Sequence, residues 1–227
     1  MSRISLAAVV IAAQFMLTPA ADAVTIELND RIATISGGVN AASIGKVVKK
    51  VLEYESQSYD PIWLLIDSFG GSVDAGFILI DLMKSIKSPV YVIVTSKAYS
   101  MGAIITVYAE KRYIYRHGTM MLHEASYGAL GEDPSIRSRI GFNTKYLDRL
   151  HEEIAKIIKM DVKEYRARIR DAWWVMAEDA VKYGWVDGIV TDVVYKKAAV
   201  ETIEIKRTRK VKREKMVRPD AASPPSS

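Results

Sequence analysis

Three histidines, one serine just after an expected strand and one pair of glycines are the groups with which this chain could do nucleophilic or acid–base work. It has no cysteine, so thiolate catalysis, disulfides and sulfur-ligated metal sites are excluded together. A serine hydroxyl is a weak nucleophile until a neighbouring base takes its proton, and histidine is the usual base near neutral pH. His117 stands beside Arg116 in an expected turn, and His151 sits among Arg149, Glu152 and Glu153, so both read as surface residues. His123 differs. It closes the run Thr119-Met120-Met121-Leu122, at the carboxyl edge of an expected strand, where α/β sheets collect catalytic groups.

Ser100 follows an expected strand over residues 90–94 and opens Met101-Gly102-Ala103. At a strand-to-helix junction its hydroxyl is exposed, with the positive end of a helix behind it. Taken singly, it reads equally well as a helix N-cap. Asp67-Ser68-Phe69-Gly70-Gly71-Ser72 follows an expected buried strand over residues 62–66. Paired glycines there can turn amide N–H groups toward a phosphate or toward the oxyanion of a tetrahedral intermediate, or simply make a tight turn. No Gly-Lys-Ser/Thr and no dinucleotide fingerprint accompanies them.

The elements that must position these groups follow from periodicity. Residues 24–28 and 31–35 read as strands, the second ended by Gly37-Gly38. Asn40 caps a helix to about residue 57, with Ile44, Val47, Val48, Val51 and Leu52 on one face. Residues 62–66 and 90–94 are continuous apolar runs, as strands buried on both faces would be. A helix is expected over 73–86, another from Ser100 to Ala109, and short strands over 113–115 and 120–122. From 134 to 160 apolar residues recur at helical spacing between charges, and shorter helices follow over 162–170 and 178–183, the last stopped by Gly184. Strands alternating with helices mean an α/β domain with a largely parallel sheet.

At 227 residues and 49% hydrophobic, the chain can bury the core of one domain with extensions. Arg3, the apolar run 4–17 and Ala21-Asp22-Ala23 read as an export signal over 1–23, cleaved before Val24. This places the protein in the periplasm or outside the cell; without a signal there it would be cytoplasmic. The run is shorter than the roughly 20 residues a membrane-crossing helix needs. The net charge of +5 is local: residues 206–215 hold seven positive side chains against one negative. That basic stretch lies in a tail, 198–227, which ends in Pro and Ser and is disordered by composition. No nucleic-acid motif accompanies it, so no nucleic-acid partner is expected. The domain proper is read as 24–197.

Three segments in order carry a family resemblance: residues 65–76 around Ser68-Phe69-Gly70-Gly71-Ser72, then Ala98-Tyr99-Ser100-Met101-Gly102-Ala103, then Met121-Leu122-His123. Together with Ala177-Glu178-Asp179-Ala180 and Tyr183-Gly184-Trp185-Val186-Asp187, the chain over roughly residues 25–194 resembles the proteolytic subunit of the Clp peptidases. The resemblance implies an α/β crotonase-like fold of repeated β-β-α units with a protruding handle helix over 134–160. It implies a serine endopeptidase in which Ser100 attacks and His123 is the base. The N–H groups of Gly71 and Met101 would form the oxyanion hole, and Gly70, Gly71, Ser72 and Val73 would hold the substrate as an added strand. The implied substrate is a peptide or unfolded protein, the assembly a homo-oligomeric ring, and no metal or organic cofactor is implied. The family's third residue, an aspartate, falls on Asp171 if a loop absorbs one extra residue and on Ala172 otherwise.

Phe69 replaces the family's proline, Tyr99 stands where a small residue precedes the nucleophile, and Glu124-Ala125 replaces Gln-Pro. Clp peptidases work beneath an ATP-driven unfoldase; an exported relative would have neither ATP nor that partner. Two other readings stay open. One is a membrane-associated protease of the signal-peptide-peptidase type, with Ser100 served by Lys97 or Lys111. The other is an impaired scaffold that keeps the fold and oligomerises through the handle.

Overall fold

A computed structural model describes residues 23–126, 128 and 130–196. The segment 1–23 expected to be an export signal, apart from Ala23, and the basic tail lie outside the described residues. The elements run β1 (Ala23–Leu28), β2 (Ile32–Val39), α1 (Ala41–Glu55), β3 (Ile62–Gly71), α2 (Val73–Ser85), β4 (Val90–Tyr99) and α3 (Met101–Tyr108). They continue as β5 (Lys111–Tyr115), β6 (Thr119–Leu122), α4 (Asp133–Ile157), α5 (Val162–Ile169), β7 (Trp173–Met176), α6 (Ala177–Lys182) and β8 (Gly188–Tyr195).

The sheet runs β1-β8-β5-β4-β3-β2, every neighbouring pair parallel, with β6 against the far end of β4 and β7 antiparallel to β6. This is the α/β architecture that the resemblance implies. The apolar runs in β3 and β4 are buried on both faces, as their lack of alternation requires. Ile62, Leu64 and Ile66 pack under the helices with Val47, Val51, Leu79 and Ile105. Trp63 and Ile93 point the other way, into a smaller cluster with Ile26, Leu28 and Val190.

Local chemistry explains most boundaries. Asn40 caps α1 by accepting from the N–H groups of Ala42 and Ser43, each at 3.0 Å, while Ser43 Oγ accepts from Asn40 N–H. Ser72 caps α2 through Ala75 N–H. Leu52, expected on the buried face of α1, is 48% exposed instead.

Three strands outrun their apolar runs. β2 does not stop at Gly37-Gly38 but shifts register there and pairs Gly38 with Gly70 and Val39 with Gly71. The glycine segment expected as a turn is therefore the end of β3. β4 pairs with β5 over 91–94, then turns away to pair with β6 over 97–99. The strands β7 and β8 were not expected at all. The first half of α4 stands clear of the core, with Ile140 and Phe142 exposed; its buried residues begin at Leu150. It is the protruding helix that the resemblance implies.

Candidate active site

The β4–β6 ladder brings serine and histidine together. It pairs Tyr99 with Met121, and Ser100 N–H donates to Met121 O at 2.7 Å, one residue past the end of β4. His123 follows Leu122 at the end of β6. The outcome is a bond of 2.8 Å between Ser100 Oγ and His123 Nε2.

The backbone at Ser100 is strained. Its φ of +53° and ψ of −120° are unusual for a residue with a side chain, and such a conformation costs on the order of 1–3 kcal/mol. It turns the chain sharply from β4 into α3. Ser100 holds the N-cap position of α3, yet its side chain makes no capping bond. The hydroxyl that would otherwise satisfy the helix is committed to His123, which sets aside the plain N-cap reading. Met101, the first helical residue, is fully buried, and its N–H belongs to the first turn, where no intrahelical acceptor exists.

The glycines make room for this elbow. Gly70 has φ +91°, and a Cβ there would stand 2.6 Å from Tyr99 O and 2.7 Å from Ser100 Cβ. Gly71 has φ +149°, and its Cβ would meet Val39 O at 2.2 Å. Ser68 Oγ braces the segment, donating to Gly37 O at 2.6 Å and accepting from Gly70 N–H at 3.1 Å. On the β4 side the ladder of β3 ends at Ser68, opposite Ala98. Gly71, Ser72 and Val73 follow beyond that last pair, Gly71 and Ser72 exposed and Val73 half-buried.

Asp171 is not joined to His123. Its carboxylate accepts from Arg170 Nε and a terminal nitrogen at 3.3 and 3.1 Å, and its side chain is 79% exposed. The β6–β7 ladder pairs Leu122 with Trp173, so the residues that leave it side by side are His123 and Ala172. Ala172 sits in the left-handed region, φ +65°. Among the described residues no carboxylate is hydrogen-bonded to the His123 imidazole.

The lysines proposed as alternative bases are placed elsewhere. Lys97 Nζ donates to Asp67 at 2.8 Å, and that bond raises its pKa, which keeps it charged and unfit to accept a proton. Lys111 lies over the Tyr91 ring. His117 is exposed, as expected, but His151 is 3% exposed. Its Nδ1 shares a 3.1 Å hydrogen bond with Tyr165 OH, and burial, reinforced by the nearby Arg166, pushes the imidazole down to about 4. Its charged sequence neighbours gave no sign of this, because the side chain that covers it, Tyr165, comes from the next helix, α5.

A family model described as Clp protease matches residues 18–193. The chain belongs to the Clp protease family. It is accordingly a serine-type peptidase. Among its relatives, the ATP-dependent Clp protease proteolytic subunit of Leuconostoc citreum is 34% identical over 171 residues, covering 72% of this chain and 84% of the relative. The ATP-dependent Clp protease proteolytic subunit 2 of Treponema denticola is 31% identical over 170 residues, covering 71% and 82%. The matched span contains the whole Ser100–His123 site.

Proposed function

We propose that this Clp-family chain hydrolyses peptide bonds through an acyl-enzyme on Ser100, with His123 as the base. The observation that carries this is the 2.8 Å bond between Ser100 Oγ and His123 Nε2 at a strained strand-to-helix elbow. His123 Nε2 takes the hydroxyl proton as Oγ attacks the scissile carbonyl. The carbonyl oxygen becomes an oxyanion facing the N–H groups of Met101 and Gly71. Collapse breaks the C–N bond, and the imidazolium gives its proton to the leaving amine. Water, deprotonated by the same imidazole, then hydrolyses the ester and frees Ser100.

The substrate is an extended peptide or loosely folded chain. It adds beside Gly70, Gly71, Ser72 and Val73, where β3 continues past its last pair with β4. The chain assembles as a homo-oligomeric ring, and the exposed apolar Ile140 and Phe142 on the protruding half of α4 support stacking of rings through that helix. The two relatives are called ATP-dependent. For this chain the reading of residues 1–23 as an export signal supports action on peptides without an unfoldase, in the periplasm or outside the cell.

Labelling of the purified protein with a fluorophosphonate probe tests the reading. Wild type labels, and Ser100→Ala and His123→Ala both lose the label. An intact, folded wild type that does not react with the probe would refute the peptidase mechanism. Size by light scattering reads the ring.

A further inference from the structure

Resting on that peptidase reading, we infer that Arg166 is a positioning residue for His123. The imidazole is held at Nε2 by Ser100, and no carboxylate is bonded to it among the described residues. Its orientation must therefore come from the backbone that carries it. That backbone leaves β6 at His123, and the next side chain, Glu124, is tied down. Arg166 of α5 donates to Glu124 Oε1 at 3.3 Å with one terminal nitrogen, and with the other to Asp148 Oδ1 of α4.

One guanidinium thus joins three segments: the catalytic loop, α5 and the base of α4. The fork of an arginine suits this task, since its two terminal nitrogens bond two carboxylates in fixed directions. Arg166 is itself well anchored. The residue before it, Tyr165, is fully buried and bonded to His151 of α4, and Asp161 caps α5 through the N–H groups of Lys163 and Glu164. The tie therefore ends on a rigid joint.

Removing the guanidinium does more than delete two bonds. It leaves Glu124 and Asp148 without the cation they had shared, and the loop that carries His123 loses its tie to α5 and α4. The barrier rises because Nε2 moves off the line to Ser100 Oγ, while the binding strand at Gly70 to Val73 is untouched. A displacement of that kind costs roughly tenfold in rate or more, since about 1 Å of misplacement can cost 100-fold.

The test is steady-state cleavage of a fluorogenic peptide, with probe labelling of Ser100, by wild type, Arg166→Ala, Arg166→Lys and Glu124→Gln. In Arg166→Ala, kcat and the labelling rate fall about tenfold with KM unchanged. Arg166→Lys recovers part of the loss, because one ammonium satisfies one acid at a time. Glu124→Gln, an exposed change, lowers kcat in the same direction by a smaller factor, and it decides the matter if Arg166→Ala does not fold. Values of kcat within twofold of wild type in both Arg166→Ala and Glu124→Gln, or in Glu124→Gln alone where Arg166→Ala does not fold, overturn the inference, as does an unchanged kcat with an altered KM. A wild type that is not labelled refutes the peptidase reading instead, so the two failures are distinguishable.

Discussion

Replacing Ala172 by aspartate should make this peptidase faster. The β6–β7 ladder ends at Leu122 and Trp173, so His123 and Ala172 emerge next to each other. Residues opposed across an antiparallel pair have Cβ atoms about 4.5–5.5 Å apart, within reach of an aspartate carboxylate. Nε2 is engaged by Ser100, which leaves Nδ1 as the nitrogen for the new acid. A hydrogen bond to a charged group is worth about 1.5–3 kcal/mol. Most of that is realised when the imidazole becomes imidazolium, which happens in the transition state. At about 1.4 kcal/mol per tenfold, kcat should rise roughly 10- to 150-fold. The backbone adds a second, separable effect. An alanine at φ +65° carries the left-handed penalty of about 1–2 kcal/mol, which aspartate and asparagine tolerate better. Ala172→Asp and Ala172→Asn should therefore both melt a few degrees higher, but only Ala172→Asp should gain in kcat. The assay is peptide cleavage with thermal denaturation on the same samples. Asp171→Ala, whose carboxylate serves Arg170 in solvent, should stay within about threefold of wild type. A folded Ala172→Asp no faster than Ala172→Asn, or an Asp171→Ala variant slowed a hundredfold, would refute the reasoning about the acid.

Three further outcomes follow from the structure. Gly70→Ala should reduce Ser100 labelling at least roughly 100-fold, since its Cβ would collide with Tyr99 O and Ser100 Cβ; Gly45→Ala, in open space on α1, should instead stabilise by up to about 1 kcal/mol. His151, buried with a value of about 4 against an ordinary 6.5, takes up its proton first in the unfolded chain. Stability should therefore fall as pH drops from 6.5 toward 4, by up to about 3 kcal/mol, and His151→Gln should flatten that part of the melting-temperature profile.

How much of this was written in the chain is clearest residue by residue. His123 was legible because it closes an apolar run, and Ser100 and the glycine pair because each lies a few residues past one, near the strand ends of a parallel sheet where catalytic groups gather. The helices announced themselves by spacing and by Asn40. The strands β7 and β8 did not. β7 is four residues long and paired on one side only, by β6; β8 is buried over its first three residues and exposed along the rest. Neither carries a strong period.

The sequence by itself determined the α/β class and the family resemblance, and singled out Ser100 and His123 as candidates, because local patterning and three short motifs suffice for those. Tertiary structure decided the rest. It extended β3 through its glycines, since only pairing with β2 makes strand of them. It buried His151, whose charged sequence neighbours promised solvent, because α5 folds over α4. It set Asp171 on Arg170 and put Ala172 beside His123, because a ladder register and the left-handed turn that ends α5 govern which residue emerges there. A count along the chain left Asp171 and Ala172 one residue apart and both eligible; the hydrogen-bonded register between β6 and β7 chose between them.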